Sequence, residues 1–300
     1  MVKIIATVTI VLVIFYFLLA SLISNWQKIP FENLRFNIFH LIISFLFLLL
    51  NFLVFVEGWR RIIFSLGGII KYNEAFWVMS ASQTAKYVPG GIWFAIGRVY
   101  LAKSPNLKSE TIAASIIIET IMTFIVGILL FLIAVAFTGQ KTIISYLFII
   151  PVLALFLMLT YPPVLNKVMN LALLILKRPA IHISIPYLRL LGLSIYFLGL
   201  WVAQIIGFFF LINSICPVSA SKIFNLTAAY TLSWMSGFVV ILAPSGLGVR
   251  EGMMSLLLSS FITSPLAIAI SFLSRIWITF FEIIILIAGI IVKKKMHAFK

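Results

Sequence analysis

Seven charged side chains lie within or beside long apolar stretches of this sequence, where an isolated charge is costly. They are Lys86, Arg98, Glu119, Arg250, Glu251, Arg275 and Glu282. A charge at the centre of a bilayer costs about 3 kcal/mol on insertion scales, so we expect these groups to pair or to line a hydrated cavity. The four cations can bind an anionic or phosphate headgroup while the three glutamates orient them. The alternative is that the seven residues form interhelical salt bridges that only fix the packing.

The spacing of these charges places several of them on common helix faces. Glu119 lies on a stripe of polar residues at four-residue intervals, which is Thr111, Ser115, Glu119 and Thr123. Arg275 and Glu282 are seven residues apart, so they share a face of one helix. The pattern predicts polar helix faces that point into the protein rather than into lipid.

The other residue types restrict the chemistry that is available. The sequence has no aspartate, and His40, His182 and His297 lie far apart along the chain. A nucleophile activated by a histidine–aspartate pair is therefore excluded, and we expect no metal and no other cofactor. The single cysteine, Cys216, cannot form an internal disulfide.

Two segments rich in proline and glycine, within 74–101 and 223–261, each divide a pair of helix-length halves. Proline removes a backbone donor, and glycine adopts conformations that a helix does not use. Broken backbone at membrane depth is tolerated only where it is buried in protein or lines a wet cavity. We therefore predict two broken, re-entrant helical hairpins whose helix N-termini offer N–H donors to a phosphate. The break residues are Pro89, Gly90, Gly91, Pro244, Gly246 and Gly248.

The elements that must position these residues are membrane helices. Of the 300 residues, 63% are hydrophobic and 10% are charged, with a mean hydropathy of +1.22, which leaves lipid as the surrounding solvent. Six segments are long and apolar enough to cross the hydrocarbon: 4–24, 38–56, 111–137, 142–161, 187–215 and 264–292. The sequence thus predicts an all-α, polytopic integral membrane protein with six full spans and two broken hairpins.

The distribution of basic residues predicts the orientation. A cytoplasmic N-terminus leaves only Lys28, Arg35, Lys141 and Lys222 among the loop cations outside, so we expect both termini in the cytoplasm. Despite the net charge of +15, the cations form no soluble basic module, and we expect no nucleic-acid partner. Anionic lipid is the expected partner of such a surface.

The order of elements repeats within a single membrane domain, 1–300. Residues 1–138 and 139–300 each contain two spans, a broken hairpin and a third span. Because three is an odd number of crossings, the second repeat must be inverted, as in transporters with discontinuous helices at their binding sites. An alternative is that the second broken segment is two crossings.

Two motifs carry a resemblance to a known family. The first is the run KYVPGGIW at 86–93, followed by Arg98 and the span that contains Glu119; the second is PSGLGVREG at 244–252. Nearly the whole chain resembles the membrane region of lysylphosphatidylglycerol synthases, a region that also occurs as stand-alone flippase-like proteins. The resemblance implies a membrane domain that moves aminoacylated phospholipids between leaflets, and some stand-alone relatives are linked to hopanoid or polyprenyl-linked glycolipid pathways. The synthases' soluble aminoacyl-transferase domain does not follow here, so the resemblance does not imply lipid aminoacylation.

We therefore predict a non-enzymatic, flippase-like protein of the cytoplasmic membrane. Its expected cargo is an anionic phospholipid or a polyprenyl-phosphate-linked lipid, and a separate lipid or glycolipid synthase is an expected partner. Two alternatives remain: an intramembrane transferase that uses a glutamate as general base, and a membrane subunit that supports a separate synthase.

Overall fold

The structure is a computed structural model that describes residue 23 and residues 36–87, 92–104, 107–138, 149–175, 180, 185–240 and 246–298. In chain order its α-helices are α1 (Ile38–Ser65), α2 (Tyr72–Thr84), α3 (Trp93–Ala102), α4 (Ser109–Thr138), α5 (Ile149–Thr160), α6 (Pro162–Ile175), α7 (Tyr187–Asn213), α8 (Ile223–Val239), α9 (Val249–Leu258) and α10 (Ser264–Ala298). Short 3₁₀ turns, Ala85–Tyr87 and Ala220–Lys222, follow α2 and precede α8. The predicted all-helical architecture is confirmed for these residues.

Four of these helices, α1, α4, α7 and α10, are long and apolar enough to cross a membrane by length and composition. They correspond to the predicted spans at 38–56, 111–137, 187–215 and 264–292, and the chain is a multi-pass membrane protein. Helix α1 runs nine residues beyond its predicted end. Glu57 there pairs with Arg60 at 2.7 Å and with Arg61 at 2.6 Å, and such pairs three and four residues apart support a helix through a charged stretch.

The segment predicted as a span at 142–161 is described only from Ile149. It forms α5, and the chain then bends by 70° into α6. Pro162 and Pro163 lie at this bend, where proline disfavours a helical conformation in the preceding residue. If α5 and α6 are taken as one broken span, the described residues contain five candidate spans. The predicted first span at 4–24 lies outside the described residues apart from Ile23.

The most extensive helix–helix contact among the described residues joins α1 and α7. A Cβ atom added at Gly207 would lie 3.2 Å from Phe47 Cβ and from the Ser44 carbonyl oxygen, so the two helices approach closely there. The amide of Asn51 donates a 2.6 Å hydrogen bond to the carbonyl of Leu200 at the same interface. A side chain that satisfies a backbone oxygen on another helix fixes the register of the pair.

The remaining helices pack around this pair in a reciprocal arrangement. Helix α2 packs against α10, and α8 packs against α4, so the first arm of each broken segment contacts the last long helix of the other half. Helix α3 packs on α2 and α4, and α9 packs on α8 and α10. Each of these contacts in one half of the chain has a counterpart between the equivalent helices of the other half. An internal repeat would produce this arrangement. The inverted repeat and its division at 138/139 stay predictions.

Both broken segments fold back on themselves. In the first, the Arg98 Nε lies 3.4 Å from Ser82 Oγ. In the second, Arg250 donates to the Tyr230 hydroxyl while Gly246 lies against Gly237. Helices α3 and α9 contain ten residues each, or roughly 15 Å of helix, about half of the hydrocarbon thickness. These lengths favour re-entrant arms over two further crossings.

The break of the second segment is partly visible. Gly246 and Gly248 have φ values of 69° and 83°, a region that L-residues rarely adopt, so their prediction as break residues agrees with the backbone. The predicted break residues Pro89, Gly90, Gly91 and Pro244 lie outside the described residues.

Candidate functional site

A cavity of about 1000 Å³ lies between the two broken segments. Most of its wall is aliphatic or aromatic, and its aromatic residues include Phe52, Phe55, Trp201, Trp234 and Phe281. The ionisable side chains on its wall are Lys86, Lys103, Glu119, Tyr230, Arg250 and Glu282, together with Tyr100. The cavity therefore combines a large apolar surface with a few charged groups, the usual composition of a ligand site.

The first charged cluster joins the end of α2 to α10. The 3₁₀ turn Ala85–Tyr87 brings Lys86 and Tyr87 to α10, where Thr279 and Glu282 are three residues apart on one face. Lys86 Nζ forms an ion pair with Glu282 Oε1. The Tyr87 hydroxyl donates to Glu282 Oε2 at 2.8 Å and lies 3.0 Å from Thr279 Oγ1. Glu282 thus holds the 3₁₀ turn at the end of α2 against α10.

A second contact joins the start of α9 to the same helix. Arg275 Nε lies 3.8 Å from Glu251 Oε1, and its guanidinium lies 5.6 Å from the centroid of the Tyr87 ring. The other oxygen of Glu251 accepts the Gly248 N–H at 2.6 Å. Glu251 therefore caps α9 with its own carboxylate. The expectation that this helix N-terminus offers its N–H groups to a phosphate is corrected at Gly248, whose donor is already used.

Arg250 is held by a tyrosine hydroxyl rather than by a carboxylate. Its Nη2 donates to the Tyr230 hydroxyl at 2.7 Å, and that hydroxyl also accepts a 2.8 Å hydrogen bond from Gln204 Nε2. The Arg250 side chain is buried and lines the cavity. Among the described residues it forms no ion pair with a glutamate.

The charges of this region do not cancel. Lys86, Arg250 and Arg275 lie close enough to repel one another, and among the described residues Glu251 and Glu282 are the carboxylates that oppose them. The cluster carries one more cation than anion. An uncompensated cation beside a low-dielectric cavity attracts an anion strongly. The part of the chain that the structure describes contains no group of three His, Cys, Asp or Glu side chains that could hold a metal ion.

Arg98 and Glu119 form a separate pair. Arg98 Nη1 lies 2.6 Å from Glu119 Oε2, and the two side chains are 0% and 6% exposed. The Arg98 guanidinium also lies 5.3 Å from the centroid of the Trp59 ring, whose Nε1 donates to Ser115 one turn before Glu119. Glu119 reaches the cavity wall, but Arg98 does not. Of the seven charged residues predicted for the site, these two therefore neutralise each other.

Several uncharged residues of the site were not predicted from the sequence. They are Tyr87 and Tyr230, which hold the charged groups, and the cavity-lining amides Asn51, Gln83 and Gln204. Their side chains are uncharged at neutral pH, so the cost of inserting a charge does not single them out. A signal was available for Asn51 and Gln204, because an amide within an otherwise apolar span needs a partner in the protein.

Comparison with curated proteins finds no match for this chain. Comparison with family models finds a match that spans nearly the whole sequence, including both broken segments and all seven charged residues of the candidate site. The chain therefore belongs to the family described as the lysylphosphatidylglycerol synthase TM region, whose model matches residues 4–288.

Proposed function

We propose that this protein moves a lipid with an anionic or phosphate headgroup between the leaflets of the cytoplasmic membrane. The observation that carries the proposal is the excess positive charge on the cavity wall, where Lys86 from the first broken segment and Arg250 from the second face the same space. A phosphodiester placed between them neutralises the excess cation. The cargo is an anionic phospholipid or a polyprenyl-phosphate-linked lipid.

The shape of the cavity supports a lipid rather than a soluble anion. Ile96 and Tyr100 on α3 line the cavity and are 47% and 82% exposed. These exposed side chains support an opening of the cavity along α3. A lipid can place its headgroup at the cations and keep its chains against this apolar opening.

The ion pairs suggest how binding is coupled to movement. Glu282 on α10 forms an ion pair with Lys86 of the first broken segment. Arg275, also on α10, lies near Glu251 of the second broken segment. A headgroup phosphate competes with Glu282 for Lys86 and loosens their ion pair. Since the two cations belong to different segments, their common ligand shifts both relative to α10. Such a ligand biases an equilibrium between two arrangements through its differential contacts.

Transport is favoured over transfer chemistry by the state of the carboxylates. Glu282 accepts from Lys86 and Tyr87, and Glu119 accepts from Arg98. One oxygen of Glu251 accepts from Gly248; the other has no hydrogen-bond partner among the described residues, lies 3.8 Å from Arg275 Nε, and belongs to a residue that does not line the cavity. A general base needs a carboxylate that is free to take a proton from substrate. The name of the matching family refers to a lipid synthase. This supports a membrane-lipid role and a separate lipid or glycolipid synthase as partner.

The experiment is reconstitution of the purified chain in vesicles that contain phosphatidylglycerol with a fluorescent acyl chain. We expect an impermeant quencher to reach more of the labelled lipid in protein-containing vesicles than in protein-free ones, with the lipid mass unchanged by mass spectrometry. A new lipid species would instead establish the transferase alternative. Neither movement nor product, with a synthase co-purifying, would establish the supporting-subunit alternative.

A further inference from the structure

We propose that the amide side chains of Asn51, Gln83 and Gln204 form a subsite for a hydroxyl-bearing group attached to the lipid phosphate, such as a glycerol or a sugar. The inference rests on the proposed function, because it takes the phosphate to lie between Lys86 and Arg250. It adds that the site distinguishes lipids by the group attached to the phosphate as well as by their charge.

Gln83 lies beside the first cation. It is three residues before Lys86, so the two side chains lie about one turn apart at the end of α2. Both line the cavity. Among the described residues, no hydrogen bond satisfies the Gln83 amide. A half-buried amide on a mostly apolar wall is therefore left for a ligand to satisfy.

Gln204 lies beside the second cation. Its Nε2 donates to the Tyr230 hydroxyl, and that hydroxyl holds Arg250. Asn51 is close to Gln204, because its Nδ2 donates to the carbonyl of Leu200, one helical turn earlier. Each of these two amides uses one donor within the protein, and its carbonyl oxygen has no partner among the described residues. Both side chains line the cavity.

The chemistry of the three amides matches hydroxyl groups. An amide offers a donor and an acceptor, and a hydroxyl group accepts from the first and donates to the second. Phosphate oxygens only accept, so the free carbonyl oxygens of Asn51 and Gln204 add nothing to phosphate binding. A site whose buried polar groups are satisfied by a ligand hydroxyl rejects an analogue that lacks it, because those groups are then left unpaired.

The test uses three lipids that carry the same single phosphodiester charge. Phosphatidylmethanol has no hydroxyl on its headgroup, phosphatidylglycerol has a glycerol, and phosphatidylinositol has a cyclic polyol like that of a sugar. Binding of each lipid to the purified, detergent-solubilised protein is titrated by native mass spectrometry, a readout that does not require transport. We expect phosphatidylmethanol to bind roughly three- to ten-fold more weakly than the better of the other two, the factor of one hydrogen bond. A preference for phosphatidylglycerol would indicate a glycerol substituent, and a preference for phosphatidylinositol would indicate a sugar.

The matched variants are Gln83→Met and Asn225→Leu. Met has the length of Gln without its polar atoms, and the Gln83 amide has no structural partner to lose. Asn225 lies on α8 and does not line the cavity. We expect Gln83→Met to reduce the preference for the hydroxylated lipid while phosphatidylmethanol binding stays unchanged, and Asn225→Leu to keep the preference. Equal binding of all three lipids, or a preference that survives Gln83→Met, would overturn the subsite and leave the proposed function standing. Failure of all three lipids to bind would overturn both.

Discussion

Arg98 on the short helix α3 donates a 2.6 Å hydrogen bond to Glu119 on the spanning helix α4, and both side chains are buried. The pair fastens the first broken segment to a membrane-spanning helix. Removing one member of a buried ion pair leaves the other charge unpaired, which costs about 3–5 kcal/mol.

We predict that Glu119→Gln lowers the thermal denaturation midpoint of the detergent-solubilised protein clearly. Glu110→Gln is the matched control, because Glu110 lies on the same helix and is exposed. The double variant Arg98→Gln/Glu119→Gln should recover part of the lost stability, since both unpaired charges are then absent. Equal midpoints for Glu119→Gln and Glu110→Gln would show that the pair does not stabilise the fold.

Glu282→Gln tests the competition between this carboxylate and the lipid phosphate for Lys86. The amide keeps a hydrogen-bond acceptor for Tyr87 but removes the negative charge. We expect phosphatidylglycerol to bind roughly five-fold more tightly, which corresponds to about 1 kcal/mol, while the release of lipid becomes slower. Lipid titration by native mass spectrometry measures the affinity, with Glu110→Gln again as control. Unchanged or weaker binding would contradict the competition.

The second break tolerates a side chain poorly at one glycine and well at another. A Cβ atom at Gly246 would lie 2.5 Å from Gly237 Cα, and its φ of 69° disfavours any L side chain by about 1–2 kcal/mol. Gly252, on α9, has nothing within 4 Å of an added Cβ. Gly246→Ala should therefore reduce the yield of folded protein in size-exclusion chromatography, and Gly252→Ala should not. The reverse order would show that the close contact at Gly237 is not required.

Cysteine labelling tests the orientation of the chain. In a Cys216→Ser background, an impermeant thiol reagent applied to intact cells should label Lys222→Cys and leave Lys71→Cys and Lys295→Cys unlabelled. The background substitution removes a weakly reactive site, because burial raises the pKa of the Cys216 thiol and less thiolate is present at neutral pH. Labelling of Lys71→Cys and Lys295→Cys without labelling of Lys222→Cys would show that the orientation is the opposite of the predicted one.

The sequence was sufficient for the parts of the fold that follow from solvent and backbone chemistry. Apolar length predicted α1, α4, α7 and α10, and the glycines at 246 and 248 predicted the second break. The end of α1 was missed because local ion pairs of Glu57 continue the helix past its apolar stretch. Within lipid, most faces of a helix are apolar, so periodicity gives little information on which face meets which neighbour.

The sequence predicted the charged residues of the candidate site but not which of them contact each other. The insertion cost of a charge selected Arg98 together with Arg250, but only the fold shows that Arg98 meets Glu119 while Arg250 meets Tyr230. Partners 20 or more residues apart are set by packing, which a single sequence does not specify. The neutral amides were missed because the free energy of inserting an amide side chain into a membrane is small compared with that of inserting a charge.

The most direct test of the account is a comparison of Arg250 variants in the vesicle assay with labelled phosphatidylglycerol. Arg250→Ala removes a cavity-lining cation that forms no ion pair with a glutamate among the described residues, and Arg250→Lys keeps the charge without the planar guanidinium. Arg189→Ala is the matched control, because Arg189 is exposed at the start of α7 and does not line the cavity. We predict that Arg250→Ala slows lipid movement by about ten-fold or more, that Arg250→Lys is intermediate, and that Arg189→Ala matches the wild type. Lipid movement by Arg250→Ala at the wild-type rate would contradict the account.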